Sequence, residues 1–295
     1  MTVVVVGAGI AGLACARELV DAGVPVRVLE RSGDAGGRLA TLRRGDRPVD
    51  VGAQYVTADD PAFMGRLQTW RIDGLARPWT DTFRGQHGSA PMRWGAPGGL
   101  RSLAADLARE LRVEYHSPVG GLSELATADA VVLAMPGPEA LEITDLAAAR
   151  EQSWSPALTA VLSYGERSWP RFAGVFVNDH PVLATVFDDG DRRGDLAPVL
   201  VAHSTAGFAA GHSDDDPARL LAEAVGEVLG IGAKPEVELV RWRYAQPRPG
   251  HGLFAREDNV YLAGDAFGRP RVQTAWLSGR AVARDILARR QSTER

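Results

Sequence analysis

Two short hydrophobic runs in the first half of the chain, and a later region of alternating residues, predict an α/β fold. The run Val3–Val6 has the pattern of a strand buried on both faces, which is typical of a parallel sheet. Ala130–Ala134 is a second run of this kind. Between residues 139 and 243 the pattern changes to alternating strands separated by turns, which favours antiparallel pairing. We therefore expect a parallel sheet with helices and an inserted, mostly antiparallel α+β domain.

The composition is that of a globular protein. Of 295 residues, 45% are hydrophobic and 24% are charged, which excludes global disorder. The net charge of −4 argues against a nucleic-acid partner, which would need a concentrated basic face. Cys15 is the only cysteine, so we expect no disulfide and no metal site. Without a membrane-length hydrophobic run or a basic leader before Thr2, we expect a cytoplasmic protein with no membrane partner.

The first motif is a glycine-rich turn between a strand and a helix. Gly7 permits the tight turn, Gly9 lets the backbone approach a pyrophosphate, and Gly12 lets the helix press against the strand. The next strand, Val26–Leu29, delivers Glu30, and an acid about twenty residues beyond such glycines is placed to bind ribose hydroxyls. The pattern indicates a dinucleotide site, to which Ile10 and Ala11 at the helix start also belong.

A second glycine-rich loop follows Glu30 and Arg31. The paired glycines Gly36 and Gly37 would let the backbone lie against a second phosphate or a flavin ring, and Arg38 could add positive charge. The alternative is a β-turn with a solvated arginine.

The other end of the chain carries an independent signal. A strand ends in Gly264 and Asp265, and a helix is predicted from about Val272. The aspartate could accept from a ribityl hydroxyl, and the helix start could stabilise negative charge on a reduced flavin. The alternative is a strand-turn-helix with a capping aspartate. If both ends bind one dinucleotide, they must fold together.

Together these motifs resemble the FAD-binding half of the flavin amine-oxidase superfamily. The resemblance is carried by Gly7–Gly12 with Glu30, by the loop Gly36–Thr41 and by Asp50–Thr57, the last of which most resembles renalases and their bacterial relatives. It implies a Rossmann-like FAD-binding domain with an inserted substrate domain. We expect the FAD to be non-covalent, because the only cysteine, Cys15, lies on the helix behind the predicted pyrophosphate site, far from a flavin ring. The residues expected to bind FAD are Gly7, Gly9, Ile10, Ala11, Gly12, Glu30, Arg31, Gly37, Arg38, Gln54, Tyr55, Val119, Met135, Gly264, Asp265 and Val272.

The expected FAD-binding domain comprises residues 1–60, 96–140 and 250–295, and the expected substrate domain comprises residues 61–95 and 141–249.

Two acidic segments resemble metal loops. For Asp188–Asp195 we favour a solvated turn, because the terminal glutamate of a calcium loop is missing. In the second, Ser213–Pro217, we expect Asp216 to cap a helix, with Asp214 and Asp215 favouring its dipole.

Candidates for the chemistry come from the middle of the chain. Trp242 and Tyr244 share one face of a predicted strand, where a planar substrate could stack, although core packing is equally compatible with their spacing. A histidine at a strand end, such as His203, is more often structural. The segments that contain Asn178, His203, Trp242 and Tyr244 nevertheless resemble renalase segments that line the cavity over the flavin.

The single lysine, Lys234, is predicted to lie in a surface turn. Amine oxidases of the superfamily usually place a lysine near flavin N5, so its position favours the renalase branch. That resemblance implies an oxidase that takes hydride from isomeric dihydronicotinamides (2- or 6-dihydro-NAD(P)) and reduces O2 to hydrogen peroxide. A FAD-dependent amine oxidase or desaturase-type enzyme, and a non-catalytic flavin- or nucleotide-binding module, are the alternatives.

Overall fold

The computed structural model describes residues 1–211 and 216–293. No helix within these residues is long and apolar enough to cross a membrane. The strands are β1 (Val3–Val6), β2 (Val26–Leu29), β3 (Thr41–Arg44), β4 (Arg47–Asp50), β5 (Arg77–Thr80), β6 (Arg93–Gly95), β7 (Val113–Glu114), β8 (Ala130–Leu133), β9 (Trp154–Ser163), β10 (Gly174–Phe176), β11 (Leu183–Asp188), β12 (Val199–Ser204), β13 (Glu236–Pro247), β14 (Ala255–Glu257) and β15 (Val260–Leu262). The helices are α1 (Ile10–Asp21), α2 (Pro61–Ile72), α3 (Arg101–Ala108), α4 (Gly137–Ala140), α5 (Ala147–Arg150), α6 (Asp189–Arg193), α7 (Ala206–Gly211), α8 (Pro217–Leu229) and α9 (Val272–Thr293).

Six strands form a sheet in the order β14-β15-β8-β1-β2-β7. All neighbouring pairs are parallel except β14 and β15 at one edge. Val3 and Val5 of the central strand enter the core shared with α1 and α9, whereas Val4 and Val6 enter a second core on the opposite face. This explains why the whole run is hydrophobic, and it confirms the predicted α/β fold with a parallel sheet.

A second sheet of five antiparallel strands has the order β10-β11-β12-β9-β13. Leu158, Leu200 and Leu221 belong to the core between one face of this sheet and helices α7 and α8. The other face meets the hairpin β3–β4, where Val51 packs in a cluster with Val161. The hairpin therefore connects the antiparallel sheet to the loops that follow the parallel strands.

The segment between residues 61 and 97, whose sequence is hard to interpret, forms α2 and the hairpin β5–β6. Asp60 caps α2 by accepting two backbone N–H hydrogen bonds of its first turn. Phe63, Leu67 and Trp70 pack into the core of the parallel sheet. The division of the chain into domains stays a prediction.

The solvated turn expected at Asp188–Asp195 is wrong, because this segment contains the buried helix α6. Asp189 and Arg192 are almost inaccessible to solvent. Arg192 forms ion pairs with Asp189 and, at 2.9 Å, with Asp50 at the end of β4. A charged helix can be buried when its counter-charges come from elsewhere in the fold, which a local sequence pattern does not reveal.

The second acidic segment is described only in part. The carboxylate of Asp216 accepts the backbone N–H of Arg219 at 3.2 Å, which confirms it as the cap of α8. Ser213, Asp214 and Asp215 lie outside the described residues.

Candidate active site

Predicted FAD-binding residues gather at the carboxyl edge of the parallel sheet. Gly7 follows β1, Glu30 follows β2, Met135 follows β8 and Gly264 follows β15. Val119 lies in the loop after β7. Ligands of open α/β sheets bind at this edge. The fold therefore brings residues from both ends of the chain to one place where a dinucleotide can bind.

The turn between β1 and α1 leaves an open stretch of backbone. A Cβ atom built on Gly9 meets no protein atom within 4 Å, whereas one built on Gly12 would overlap the carbonyl oxygen of Gly7. The second glycine loop packs against this turn, because the N–H of Gly36 donates to the carbonyl of Ala8 at 2.8 Å. The space beside Gly9 is thus a cradle that any side chain would partly fill.

The free N–H groups at the start of α1 border the same space. The helix begins at Ile10, followed by Ala11, and its N-terminus favours negative charge. A Cβ built on Gly37 would lie 3.7 Å from the Cα of Gly9, so both glycine loops line this cradle. The arrangement fits the pyrophosphate of a dinucleotide.

Glu30 is buried at the end of β2 and holds the two neighbouring loops. One carboxylate oxygen accepts the backbone N–H of Ala8 at 2.8 Å. The other accepts the N–H of Ser32 at 2.9 Å and its hydroxyl at 2.7 Å. A carboxylate has about four acceptor positions, so capacity remains for ribose hydroxyls. The segment after β7 lies alongside, because Ser117 donates its N–H to the Glu30 carbonyl at 2.9 Å.

We expect Glu30→Ala to weaken FAD binding by about tenfold or more, because one or two charge-assisted hydrogen bonds are worth about 1.5–3 kcal/mol each. Fluorescence titration of the apoprotein with FAD measures the affinity. Glu110, which is exposed, provides the matched control Glu110→Ala. An unchanged affinity in Glu30→Ala would show that this acid does not bind the cofactor.

Arg38 and Asp265 form a bidentate ion pair that joins the two ends of the chain. The guanidinium nitrogens Nη1 and Nη2 lie 3.0 and 2.6 Å from the two carboxylate oxygens. Arg38 also lies over the ring of Trp154, 4.9 Å from its centroid. The arginine is therefore held in place rather than solvated, and Asp265 makes this pair instead of a helix-capping hydrogen bond.

Gln54 and Tyr55 follow the hairpin β3–β4 and face the antiparallel sheet. The Gln54 amide donates to the carbonyl of Asp50 at 2.7 Å, while its Oε1 is buried without a hydrogen-bond partner. The ring of Tyr55 meets the rings of Phe83 and Phe187 edge-on, with centroids 5.5 and 6.2 Å apart. Tyr55 therefore contacts the antiparallel sheet through Phe187, next to loops that are predicted to bind FAD.

Other predicted cofactor residues lie around the edge of this site. Arg31 is exposed and pairs with Glu139 at 2.8 Å. Val119 and Met135 are half-buried and pack against a hydrophobic core of the parallel sheet. Val272 begins helix α9, as predicted.

A row of side chains crosses the face of the antiparallel sheet that meets the hairpin; we call it the polar row. Cross-strand pairing places Phe176 opposite Thr185, Thr185 opposite His203, and His203 opposite Thr159. The hydroxyl of Thr185 and the Nε2 of His203 are both buried without a hydrogen-bond partner. Because buried polar groups nearly always have partners, the polar row is a candidate surface for a bound substrate.

His203 is uncharged at neutral pH. Burial and the nearby charge of Arg192 lower its pKa to about 4. A hydrogen bond with the Gly52 backbone raises the pKa but does not outweigh them. Its ring lies 5.5 Å from that of Phe187. A neutral imidazole can donate or accept a hydrogen bond without bringing a charge to the site.

Trp242 borders the polar row. Its indole N–H donates to the carbonyl of Val51 at 3.1 Å and to the hydroxyl of Thr159 at 3.2 Å. The strand then shifts in register between Trp242 and Gln246, and half-buried Tyr244 lies within this irregular stretch with the Arg243 guanidinium 5.2 Å from its ring centroid. Trp242 therefore lies beside Thr159, which is opposite His203, whereas Tyr244 lies further along the strand.

Asn178 and Lys234 both lie outside the polar row. Asn178 is on an exposed turn after β10, where its amide donates to the carbonyl of Gly85 at 3.2 Å. Lys234 is exposed in the turn between α8 and β13, as predicted.

Sequence reasoning missed Arg93, which is buried in β6 against the rings of Tyr55 and Phe83. The signal that could have found it is an arginine between Met92 and Trp94, in a short strand-like segment of otherwise apolar or small residues. A charge in such a segment points inward only when something binds it.

Solved structures share this fold over nearly the whole chain. A protein from Exiguobacterium sp. 255-15, provisionally named a protoporphyrinogen oxidase, superposes with a TM-score of 0.79 at 15% identity, covering 97% of this chain and 98% of that one. A wild-type putrescine oxidase bound to putrescine gives a TM-score of 0.73 at 14% identity, covering 98% and 99% of the two chains. At these identities the likeness shows the fold.

Two curated proteins match part of the sequence more closely. The flavin-containing amine oxidase B of Cavia porcellus is 41% identical over 81 residues, and the phytoene dehydrogenase of Streptomyces griseus is 48% identical over 58 residues. These matches cover 25% and 20% of this chain. They cover 16% and 11% of the two relatives, so the chain matches only a small part of their length.

Family models account for most of the sequence. Residues 5–70 match the NAD(P)-binding Rossmann-like domain, and residues 67–287 match the flavin containing amine oxidoreductase family. The second match spans more than half of the 295 residues. At the level of the family, it confirms the predictions of a flavin cofactor, FAD, and of an oxidoreductase. The chain belongs to the flavin containing amine oxidoreductase family.

Proposed function

We propose that this protein is a FAD-dependent oxidase of the renalase type, which oxidises isomeric dihydronicotinamides (2- or 6-dihydro-NAD(P)). The observation that carries the proposal is the polar row, where Thr185 and His203 present buried hydrogen-bonding atoms without partners. These atoms lie among aromatic rings and next to the loop of Gln54 and Tyr55. A flat ring with a carboxamide substituent would fit such a face. Its ring would pack against the aromatic side chains, and its carboxamide would supply hydrogen-bond partners for Thr185 and His203.

The residues of this face would hold the donor rather than exchange protons with it. Neutral His203 would hydrogen-bond the carboxamide, and Trp242 with Tyr244 would supply a flat wall. Asn178 would act at the exposed side of the site. Hydride transfer needs the donor carbon about 3–3.5 Å from its acceptor, so a ring fixed in one pose selects which carbon reacts.

The described charges argue against an amine substrate. The buried carboxylates Asp50 and Asp189 are both paired with Arg192. They are therefore not free to bind an ammonium group. Lys234 is exposed in the turn between α8 and β13, whereas amine oxidases of the superfamily usually place a lysine near flavin N5.

The cofactor would be held by the cradle at Gly9, by Glu30 and by the pair of Arg38 with Asp265. FAD held there would supply the hydride acceptor and the route of two electrons to O2, so that a dihydronicotinamide, O2 and one proton from solvent would yield NAD(P)+ and hydrogen peroxide. We propose non-covalent binding, since Cys15 is buried inside α1 and burial raises the pKa of its thiol. The parallel sheet would then form the FAD-binding domain and the antiparallel sheet the substrate domain.

Anaerobic stopped-flow absorbance at the visible flavin maximum tests this function. We expect rapid bleaching by 2- or 6-dihydronicotinamide dinucleotides, and slow bleaching by ordinary NADH, putrescine or benzylamine. His203→Gln should slow the reaction with the isomers by about tenfold or more, the value of a buried hydrogen bond. The matched control His87→Gln changes an exposed histidine and should leave the rate unchanged.

The alternatives give different outcomes in the same experiment. Rapid bleaching by an amine, with none by the dihydronicotinamide isomers, would replace the proposal with an amine oxidase. A yellow protein that no donor reduces would be a flavin-binding module without turnover.

A further inference from the structure

Arg93 is a buried arginine surrounded by aromatic rings. Only 4% of its surface is exposed. Its Cζ lies 3.9 Å from the ring centroid of Phe83, 5.3 Å from that of Tyr55 and 5.9 Å from that of Phe176. These contacts stabilise the cation and hold the guanidinium plane, but aromatic rings cannot accept all of its hydrogen bonds.

The guanidinium has donors to spare. Its Nη2 donates to the Gln86 side-chain oxygen at 2.8 Å, whereas Nε and Nη1 are buried with no hydrogen-bond partner. Over residues 1–211 and 216–293, no carboxylate forms an ion pair with Arg93. A buried charge is costly unless it is both paired and hydrogen-bonded, so the missing acceptor points to a ligand.

The surroundings of Arg93 are continuous with the polar row. Phe176, beside the guanidinium, is the cross-strand neighbour of Thr185, which is in turn opposite His203. Phe187 provides a second connection, because its ring lies 5.6 Å from Phe83 and 5.5 Å from His203. The free N–H groups of Arg93 therefore belong to the same aromatic region as the unpartnered atoms of the polar row.

We propose that Arg93 determines specificity by binding a carbonyl or carboxylate oxygen of the substrate and by repelling cationic amines. Guanidinium N–H groups donate in parallel to a planar oxygen acceptor, and a nearby ammonium group would meet an unbalanced positive charge. This inference rests on the proposed function for the identity of the oxygen, which would be that of the carboxamide.

Binding of benzene derivatives to the oxidised holoprotein, followed by perturbation of the visible flavin spectrum, tests the role of Arg93. We expect the wild-type protein to bind benzoate and benzamide more tightly than benzyl alcohol, and benzylammonium least. Arg93→Met should raise the Kd of benzoate by at least about tenfold, as expected for a lost charge-assisted hydrogen bond, and should leave that of benzyl alcohol unchanged. Tighter binding of benzylammonium to the variant would follow from the lost repulsion.

Arg84→Met is the matched control, because Arg84 also lies over an aromatic ring, that of Phe172 at 5.1 Å, but is exposed. It should bind benzoate as the wild type does. The FAD content and the midpoint of thermal unfolding show whether each variant is correctly folded. If Arg93→Met loses FAD, Arg93→Gln replaces it, since it removes the charge but retains an amide donor.

The inference is overturned if benzoate does not bind the wild-type protein, or if its Kd is unchanged in an Arg93 variant with normal FAD content. The outcome is separable from that of the proposed function. Arg93-dependent benzoate binding without reduction by dihydronicotinamides would keep the inference and remove the renalase assignment.

Discussion

Gly12→Ala is expected to destabilise the protein by about 3 kcal/mol or more and to abolish FAD binding, whereas Gly9→Ala is expected to weaken FAD binding alone. A Cβ at position 12 would overlap the carbonyl oxygen of Gly7, which belongs to the backbone and cannot rotate away. Helix α1 would have to move off the central strand. Helix α9 would be disturbed as well, because Gly279 packs closely against Ala11 of α1.

The contrast between the two glycines arises because their surroundings differ. A methyl group at position 9 meets no protein atom within 4 Å, so the fold should tolerate it. It would occupy the cradle where the backbone must approach a pyrophosphate, and we expect a loss of about 10- to 100-fold in FAD affinity.

Urea unfolding of the apoprotein and titration with FAD distinguish these effects. Gly65→Ala is the matched control: Gly65 lies in helix α2, where a Cβ also meets nothing within 4 Å, far from the cradle. It should stabilise the protein by about 0.5–1 kcal/mol and leave FAD affinity unchanged. If Gly9→Ala binds FAD normally, the pyrophosphate does not lie beside this glycine.

The half of the fold built on the parallel sheet could be predicted from the sequence because its signals are local. The spacing of Gly7, Gly9 and Gly12, and the position of Glu30 after the second strand, follow from the chemistry of one βαβ unit. The meeting of the two ends was inferred correctly, because both carry dinucleotide signals that only one shared site satisfies. In the structure, the ion pair of Arg38 with Asp265 directly connects these two parts of the chain.

The half built on the antiparallel sheet could not be predicted in the same way. The polar row is made by register, since Thr185 and His203 become neighbours only when β11 and β12 pair. Arg93 is identified by the absence of an acceptor, which requires coordinates for every nearby group. The prediction for helix α6 is wrong because its acidic sequence is typical of a solvated turn. Only the fold shows that Arg192 of this helix pairs with Asp50 of a distant hairpin and is buried there.

Arg192→Met is expected to reduce stability by about 3–5 kcal/mol, because it leaves two buried carboxylates without their main counter-charge. Arg192 pairs with Asp189 and Asp50, and its Nη1 also donates to the carbonyl of Gln54 at 2.7 Å. The substitution therefore affects both the hairpin β3–β4 and the loop that faces the polar row.

Urea unfolding measures this effect, and Arg219→Met is the control. Arg219 forms an ion pair with Glu223 on the exposed side of α8, so its loss should leave the urea midpoint unchanged. Equal destabilisation by the two substitutions would mean that burial of the Arg192 network adds nothing to stability.

The pH dependence gives a second, independent test of the same network. Burial opposes the charge of Asp189, but Arg192, Arg193 and Arg47 outweigh it and lower the pKa of this carboxyl. Its contribution to stability should thus be complete above the ordinary aspartate pKa of about 3.9, and should be lost as the pH falls below it. In Arg192→Met fewer positive charges offset the burial of Asp189, so the pKa of Asp189 rises and acid unfolding should begin at a higher pH.

The pKa of His203 should rise in the same variant, because the charge of Arg192 helps to lower it. Histidine NMR signals followed over pH measure that shift, and an unchanged His203 pKa would show that Arg192 does not act on the polar row.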